Sequence, residues 1–246
     1  MELTRNQIKL VKSLNRKKER QELGLFVAEG RKTVLEALKS GWQTEMLFHL
    51  KENHEFEQYP NAIMVSNAEM ERMTALSSPS EALAVFKIPK LQFSNDRTLS
   101  NLLFFLDGIQ DPGNLGTIIR IADWYGINTL FCSDDCVDTF NPKTVQASMG
   151  SVFHLPVYRL SLEAIKSIIG NERTIYAADL EGDSIWTIST AHVQNCLVII
   201  GSEAHGISSA SLNTPNKRIT IPGKGQAESL NAAVSAGIIA SALLRE

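Results

Sequence analysis

Near the middle of the chain stands the run LLFFLD, residues 102–107, apolar up to its final carboxylate. Bounded by turn-forming residues, it suits a central parallel strand covered on both faces. Such a strand needs helices above and below it, and the following sequence supplies them. Helical spacing near Leu115–Tyr125, Pro142–Met149 and Leu162–Ile169 alternates with strand patterns at Thr129–Cys132, His154–Val157 and Thr174–Ala178. Strands at Leu197–Gly201 and Arg218–Ile221 follow, and then a last helix. Alternation of this kind predicts an open parallel sheet, whose ligands sit at the carboxyl ends of its strands.

The chain before this strand carries a shorter alternation of its own. Leu3–Leu14 reads as a helix, Gly24–Gly30 as a strand entering a turn, and Arg31–Ser40 as a second helix. Met46–Leu50 and Ala62–Ser66 read as strands, Asn67–Thr74 as a helix capped by Asn67, and Ala82–Ile88 as a further strand. Together they predict a small α/β domain. The polar, proline-containing stretch IPKLQFSNDRTLSN reads as the connection, so the expected domains are 1–98 and 99–246.

Charged residues make up 21% and hydrophobic ones 43% of the 246 residues, which suits a soluble globular protein. No apolar run approaches the ~18 residues of a membrane span, and the N-terminus lacks the apolar core of a signal peptide. Three cysteines, Cys132, Cys136 and Cys196, cannot all pair and form no zinc pattern, so the expectation is a reducing cytoplasm and no metal. The net charge of −3 hides an asymmetry. From Met1 to Lys32 there are nine Lys/Arg against four Glu. The cluster KSLNRKKER is either a solvated helix surface or a nucleic-acid contact.

Three strand ends carry unusual residues. In LDGIQDPGNLGTIIRIADWYG, residues 106–126, a dense turn signal leads through Asn114 to Arg120 within an apolar helix. Arg120 is either a paired structural guanidinium or a cation aimed at phosphate or at developing oxyanion charge. In LVIIGSEAHGIS, residues 197–208, Glu203 stands between Gly201 and Gly206. A tight turn needing positive φ accounts for both glycines but not for Glu203. His205 reads as a surface or hydrogen-bonded residue. In ITIPGKGQAESLNAAVSAGIIASALLR, residues 219–245, a polar loop with Gly225 follows Pro222-Gly223. The spacing of Ala227, Leu230, Val234, Ile238 and Leu243 predicts a helix from about Glu228, with Ser229 capping its start. A turn of this kind brings bare backbone amides near a small polar ligand. The absence of G-x-G-x-x-G and of a Walker loop argues against a dinucleotide site and against phosphoryl transfer.

Taken together, these segments resemble the motifs of the SpoU (TrmH) family of RNA ribose 2′-O-methyltransferases, within the SPOUT superfamily. NLGTIIRIAD is similar to the first motif, with Asn114 and Arg120 in its polar positions. IIGSEAHGIS is similar to the second, and IPGKGQAESLNAAVSAGI to the third. NPKTVQASMGSVFHLPV, residues 141–157, also matches a stretch typical of the family, so the likeness covers nearly all of 101–246. Residues 3–38 resemble the L30e-like substrate-binding domain that many members carry. Departures are Ile121 where threonine is common, Ser202 and Ala204 where asparagine and glycine often occur, and Ala232-Ala233 for a frequent Val-Ser.

The resemblance implies an α/β chain whose C-terminal parallel-sheet SPOUT domain holds a deep trefoil knot. It implies S-adenosylmethionine bound in a bent shape, and a homodimer with the site near its interface. Ile200, Gly201, Ile221, Gly225, Ser229 and Leu230 would hold the cofactor. Arg120, Asn114, Glu203, Ser229 and Asn231 would carry catalysis. In that scheme Arg120 anchors phosphate and steadies the alkoxide, Asn114 and Ser229 orient Arg120 or the ribose, Glu203 pairs with Arg120 or fixes its loop, and Asn231 braces the turn. Lys12, Arg16, Lys17, Lys18, Arg20, Arg31 and Lys32 would contact RNA phosphates. The expected substrate is RNA, ribosomal rather than transfer RNA, with no membrane partner. The alternatives are a non-catalytic RNA-binding or ribosome-assembly module of the same fold, and an α/β enzyme using another nucleotide cofactor.

Overall fold

Thr4 opens the first helix of the computed structural model through a capping box. Its hydroxyl accepts from the Gln7 N–H at 3.3 Å while Gln7 Oε1 accepts from the Thr4 N–H at 2.8 Å. The structure describes residues 2–76, 78–94, 97–170, 172–188, 195–214 and 217–245, so residues 95 and 96 of the expected connection lie outside it. Contacts divide the chain into two units, Met1–Lys90 with Asp138–His154, and Leu91–Val137 with Leu155–Glu246.

The first unit runs α1 (Arg5–Ser13), α2 (Lys17–Leu23), β1 (Leu25–Glu29), α3 (Arg31–Lys39), β2 (Thr44–Leu50), β3 (Ala62–Val65), α4 (Asn67–Glu71) and β4 (Ala82–Lys87). Gly24 ends α2 in the left-handed conformation, φ 64°, which turns the chain into β1. The sheet order is β1-β4-β2-β3, antiparallel except between β2 and β3. Ile8, Val11 and Leu14 pack with Val27, Phe48, Leu83 and Val85 as its core. Ser66 caps α4 instead of Asn67, because its hydroxyl accepts from the Glu69 N–H.

In the second unit lie β5 (Leu102–Asp107), α5 (Pro112–Trp124) and β6 (Leu130–Cys132). The chain then passes through α6 (Pro142–Ala147), which belongs to the first unit. It returns as β7 (Val157–Arg159), α7 (Leu162–Ile169), β8 (Thr174–Ser184), β9 (Cys196–Gly201), α8 (Ser209–Leu212), β10 (Lys217–Thr220) and α9 (Ala232–Leu243). Six parallel strands form the sheet, in the order β10-β8-β9-β5-β6-β7. Every residue of β5 is buried, as expected of a strand covered on both faces. From β5 the chain steps outward to β6 and β7, whereas β9 returns to its other side. The order therefore reverses between β5 and β9, where Asp107 pairs with Gly201, and a crevice opens at such a switch point.

Two sequence expectations are corrected here. The strand expected at His154–Val157 begins only at Val157. The preceding Ser151–Phe153 is a 3-10 turn, and Phe140 and Phe153 join Phe26, Trp42 and Phe86 in one aromatic cluster. Trp42 Nε1–H donates to the Phe153 carbonyl at 3.1 Å and fixes that packing. Arg20, expected to face RNA, is only 1% exposed. Its Nη1 donates to the carbonyls of Leu14 at 2.8 Å and Asn15 at 3.0 Å, and its Nε and Nη2 reach Asp138 Oδ2 at 2.8 and 2.5 Å. Four of the five guanidinium N–H groups are spent inside the fold, and burial closes the side chain to phosphate. Arg20→Ala should therefore lower unfolding stability by about 3 kcal/mol, since it leaves a partly buried carboxylate and two carbonyls without their partner. A denaturant midpoint unchanged from wild type would show that Arg20 is not structural.

Candidate active site

Each of the three loops is shaped by a local device. After β5, Asp111 caps α5 by accepting from the Asn114 N–H at 2.8 Å, with Pro112 in the first helical turn. Asp107 Oδ2 accepts from the Ser208 N–H at 2.8 Å and ties the end of β5 to the loop after β9. That loop is a small hairpin, closed by Ser202 N–H to Gly206 O at 3.0 Å and Gly206 N–H to Ser202 O at 2.9 Å. Gly206 needs its positive φ of 66°, but Gly201 is glycine for another reason. A Cβ there would lie 2.2 Å from the Gly206 carbonyl carbon, so the hairpin packs its backbone directly on this position.

The third loop departs from expectation. α9 begins at Ala232, four residues past Glu228, and its cap is Asn231, whose Oδ1 accepts from Ala233 N–H at 3.0 Å and Val234 N–H at 3.2 Å. Leu230 and Val234 are 44% and 50% exposed, so their spacing marks an outer face, not a core stripe. Residues 222–231 are exposed throughout.

Glu203 joins all three loops. Its Oε1 accepts from Asn114 Nδ2 at 2.8 Å, Asn231 Nδ2 at 2.5 Å and the Ala232 N–H at 3.1 Å, and Asn231 Nδ2 also donates to Asn114 Oδ1 at 2.9 Å. A carboxylate at the first N–H of α9 is further favoured by the helix dipole. The structure thus brings Asn114, Glu203 and Asn231 together. It does not bring Arg120 to them. Arg120 is exposed and has no hydrogen-bond or ion-pair partner among the described residues. Helix geometry puts it about 9 Å along α5 from Asn114 and about 120° round the axis. Of the two roles expected for Glu203, fixing the loop is the one seen. Ser229 likewise has no hydrogen-bond partner among the described residues.

An open pocket of about 120 Å³ lies between the first two loops, lined by Ile109, Gln110, Asp111, Asn114, Ser202, Glu203, Ala204, His205 and Ala232. None of Ile200, Gly201, Ile221, Gly225 and Leu230 lines it. Those residues stand at the ends of β9 and β10 and in the third loop.

Two contributors escaped sequence reasoning. β8 pairs with β9 only as far as Ala177, bulges, and rejoins β10 at Asp183 and Ser184. Thr220 Oγ1 donates to the Leu180 carbonyl at 3.1 Å, and a Cβ on Gly182 would lie 2.6 Å from the Arg218 carbonyl carbon. The only signal was a glycine among charged residues in DLEGDS. Cys136, in turn, holds the loop after β5. Its Sγ accepts from the Ile109 N–H and donates to the Leu106 carbonyl, both at 3.2 Å. The hydrogen bond from Cys132 brings the Cys136 thiol down to about 6 against the effect of burial, and Ser133 and the Ile109 N–H add to it. Cys132 is pushed up by the same pairing and by burial. Among the described residues no cluster of His, Cys, Asp and Glu could hold a metal ion.

Residues 101–241 match the SpoU rRNA Methylase family, and residues 5–84 match the MRM3-like substrate binding domain. The 23S rRNA (guanosine(2553)-2′-O)-methyltransferase RlmP of Bacillus subtilis is 32% identical over 244 residues, covering 97% of this chain and 96% of that protein. The SpoU methyltransferase AviRb from Streptomyces viridochromogenes, solved with the cofactor AdoMet, superposes with a TM-score of 0.88 at 25% identity over 98% of each chain. An AdoMet-bound rRNA methyltransferase from Sinorhizobium meliloti gives 0.86 at 28% identity, covering 100% of this chain and 96% of that one.

Proposed function

The chain belongs to the SpoU rRNA methylase family, and on that footing we propose that it transfers the methyl group of S-adenosylmethionine to a ribose 2′-hydroxyl of ribosomal RNA. The observation that carries this reading is the convergence of three loops on Glu203 at the switch point of the sheet. The chain's residues fit such a cofactor. Gly225 leaves bare backbone in the third loop, where a Cβ would meet nothing within 4 Å, and Gly201 lets the hairpin close on the end of β9. Backbone groups at Ile200, Gly201, Ile221 and Leu230, with Gly225 and Ser229 beside them, would hold it. When bound, it supplies a sulfonium methyl carbon that is already electrophilic.

What remains for the protein is to align the 2′-oxygen and stabilise its charge. Asn114 and Asn231, locked by Glu203, fix the loops that border the crevice. Arg120 would anchor RNA phosphate and steady the alkoxide, since a guanidinium donates and does not act as a base. Thr117, Arg120, Ile121 and Trp124 share one face of α5, and Trp124 is 84% exposed. α5 packs along α9, which exposes Val234. A surface this apolar favours a second copy as its cover, giving a homodimer in which Arg120 lies at the interface. The trefoil knot belongs to the same reading.

RNA affinity would come from Lys12, Arg16, Lys17, Lys18, Arg31 and Lys32, all exposed on the first unit. Arg16 and Lys18 pair with Glu19 and Glu22 along α2, and Arg31 with Glu55. The reading places the protein in the cytoplasm, and no helix among the described residues is long and apolar enough to cross a membrane.

The test is transfer of tritiated methyl from S-adenosylmethionine to deproteinised ribosomal RNA, with the label recovered in alkali-resistant dinucleotides. Cofactor binding without transfer would favour the non-catalytic module. Neutralising Lys12, Arg16, Lys17 and Lys18 together should also flatten the salt dependence of RNA binding by about 3 units of log–log slope. An unchanged slope would place the RNA surface elsewhere.

A further inference from the structure

The pocket beside Glu203 is lined by none of the residues assigned to the cofactor, and its chemistry is distinctive. Asp111 spends Oδ1 on the Asn114 N–H, and Glu203 spends Oε1 on three donors. Among the described residues the second oxygen of each carboxylate accepts nothing. Gln110 and His205 complete the polar lining; the His205 backbone N–H is held by Ser202 Oγ at 3.2 Å, and its ring has no partner among the described residues. No lysine or arginine lines the space. Two carboxylates without a cation repel phosphate, and their free lone pairs call for N–H and O–H donors. A volume of about 120 Å³ holds several waters and offers room for one ring of a nucleoside. Bases splayed from single-stranded RNA expose such donor edges, and every ribose carries hydroxyls.

We propose that this pocket receives one ring of the nucleoside to be methylated, with Asp111 and Glu203 accepting its donors and His205 determining which nucleoside is held. The assignment rests on the methyltransferase reading above and adds to it the place where substrate is read. Among the pocket residues His205 is the natural discriminator. It stands at the exposed tip of the hairpin, free of any structural bond through its ring, whereas Asp111 and Glu203 also hold the loops together.

The experiment is steady-state methylation of ribosomal RNA by the full-length protein, comparing wild type, His205→Ala, His205→Gln and Asp111→Asn. Asparagine keeps the helix cap while replacing the acceptor, so Asp111→Asn should fold normally. His205→Ala and Asp111→Asn should each raise the KM for RNA about fivefold, the size of one lost hydrogen bond, and His205→Gln should recover part of it. Affinity for S-adenosylmethionine by calorimetry should stay within about twofold in all of them, because cofactor contacts are elsewhere. The four free ribonucleosides and their 2′-deoxy forms, added as competitors, separate the two rings. Inhibition that differs among bases assigns the base, and inhibition lost only in the 2′-deoxy series assigns the ribose. Either result supports the pocket provided that His205→Ala abolishes the difference. Wild-type turnover with KM unaltered in both His205→Ala and Asp111→Asn would overturn the pocket alone. A wild-type protein that binds cofactor but methylates no RNA would instead overturn the function on which it rests.

Discussion

Gly201→Ala should leave a folded protein that neither binds S-adenosylmethionine tightly nor methylates RNA. The added Cβ would sit 2.2 Å from the Gly206 carbonyl carbon and 2.4 Å from both Gly206 O and Ile207 N. All three are backbone atoms, so no rotamer change relieves the overlap and the hairpin must move. Overpacking of this kind costs about 1–3 kcal/mol in stability, which a chain of this size tolerates. Function should suffer more. Glu203 rides on the hairpin, and a shift of about 1 Å can cost a hundredfold in rate when it misplaces reacting groups. The matched control is Gly223→Ala, where an added Cβ meets nothing within 4 Å and φ is not positive. Thermal unfolding, cofactor calorimetry and methyl transfer on both variants decide the matter. If Gly201→Ala kept wild-type turnover, the hairpin would not position the site.

The same residue shows what the sequence could and could not disclose. That Gly201 and Gly206 frame Glu203 is visible in GSEAHG, but the two glycines answer different demands. Gly206 satisfies a positive φ, whereas Gly201 makes room for a backbone that the chain brings back five positions later. Local chemistry predicts the first and is silent on the second. The buried strand at 102–107 was legible because continuous apolarity has few other uses. The start of α9 was not, because Ser229 and Asn231 are both capping types and only the fold selects the amide that reaches two N–H groups. Leu230 and Val234 misled for a related reason, since apolar residues at helical spacing serve an interface as well as a core. Arg20 misled in the opposite direction. Among the five basic residues from Lys12 to Arg20, nothing local marks the one that is buried against Asp138, because its partner lies 118 positions away.

Arg120→Ala should lower methyl transfer by at least about a hundredfold while changing neither the thermal midpoint nor cofactor affinity. The side chain is exposed and unpaired among the described residues, so its removal strands nothing in the fold. Within one chain, however, it points away from Asn114 and Glu203, and a cation that distant cannot steady charge at that cradle. On the homodimer proposed above, Arg120 belongs to the apolar face with Trp124 and would complete the cradle of the other copy. That arrangement makes a quantitative prediction. Arg120→Ala and Glu203→Ala, each inactive alone, should restore activity when co-expressed with different tags. A mixed dimer holds one site with an intact cradle facing an intact arginine, and a second site with neither. With half of the dimers mixed and one site complete in each, about a quarter of wild-type activity should return. If Arg120 serves its own chain, every site in the mixture lacks one component and no activity returns. Recovery near a quarter would establish exchange between copies, and a flat baseline with mixed dimers present would confine Arg120 to its own subunit.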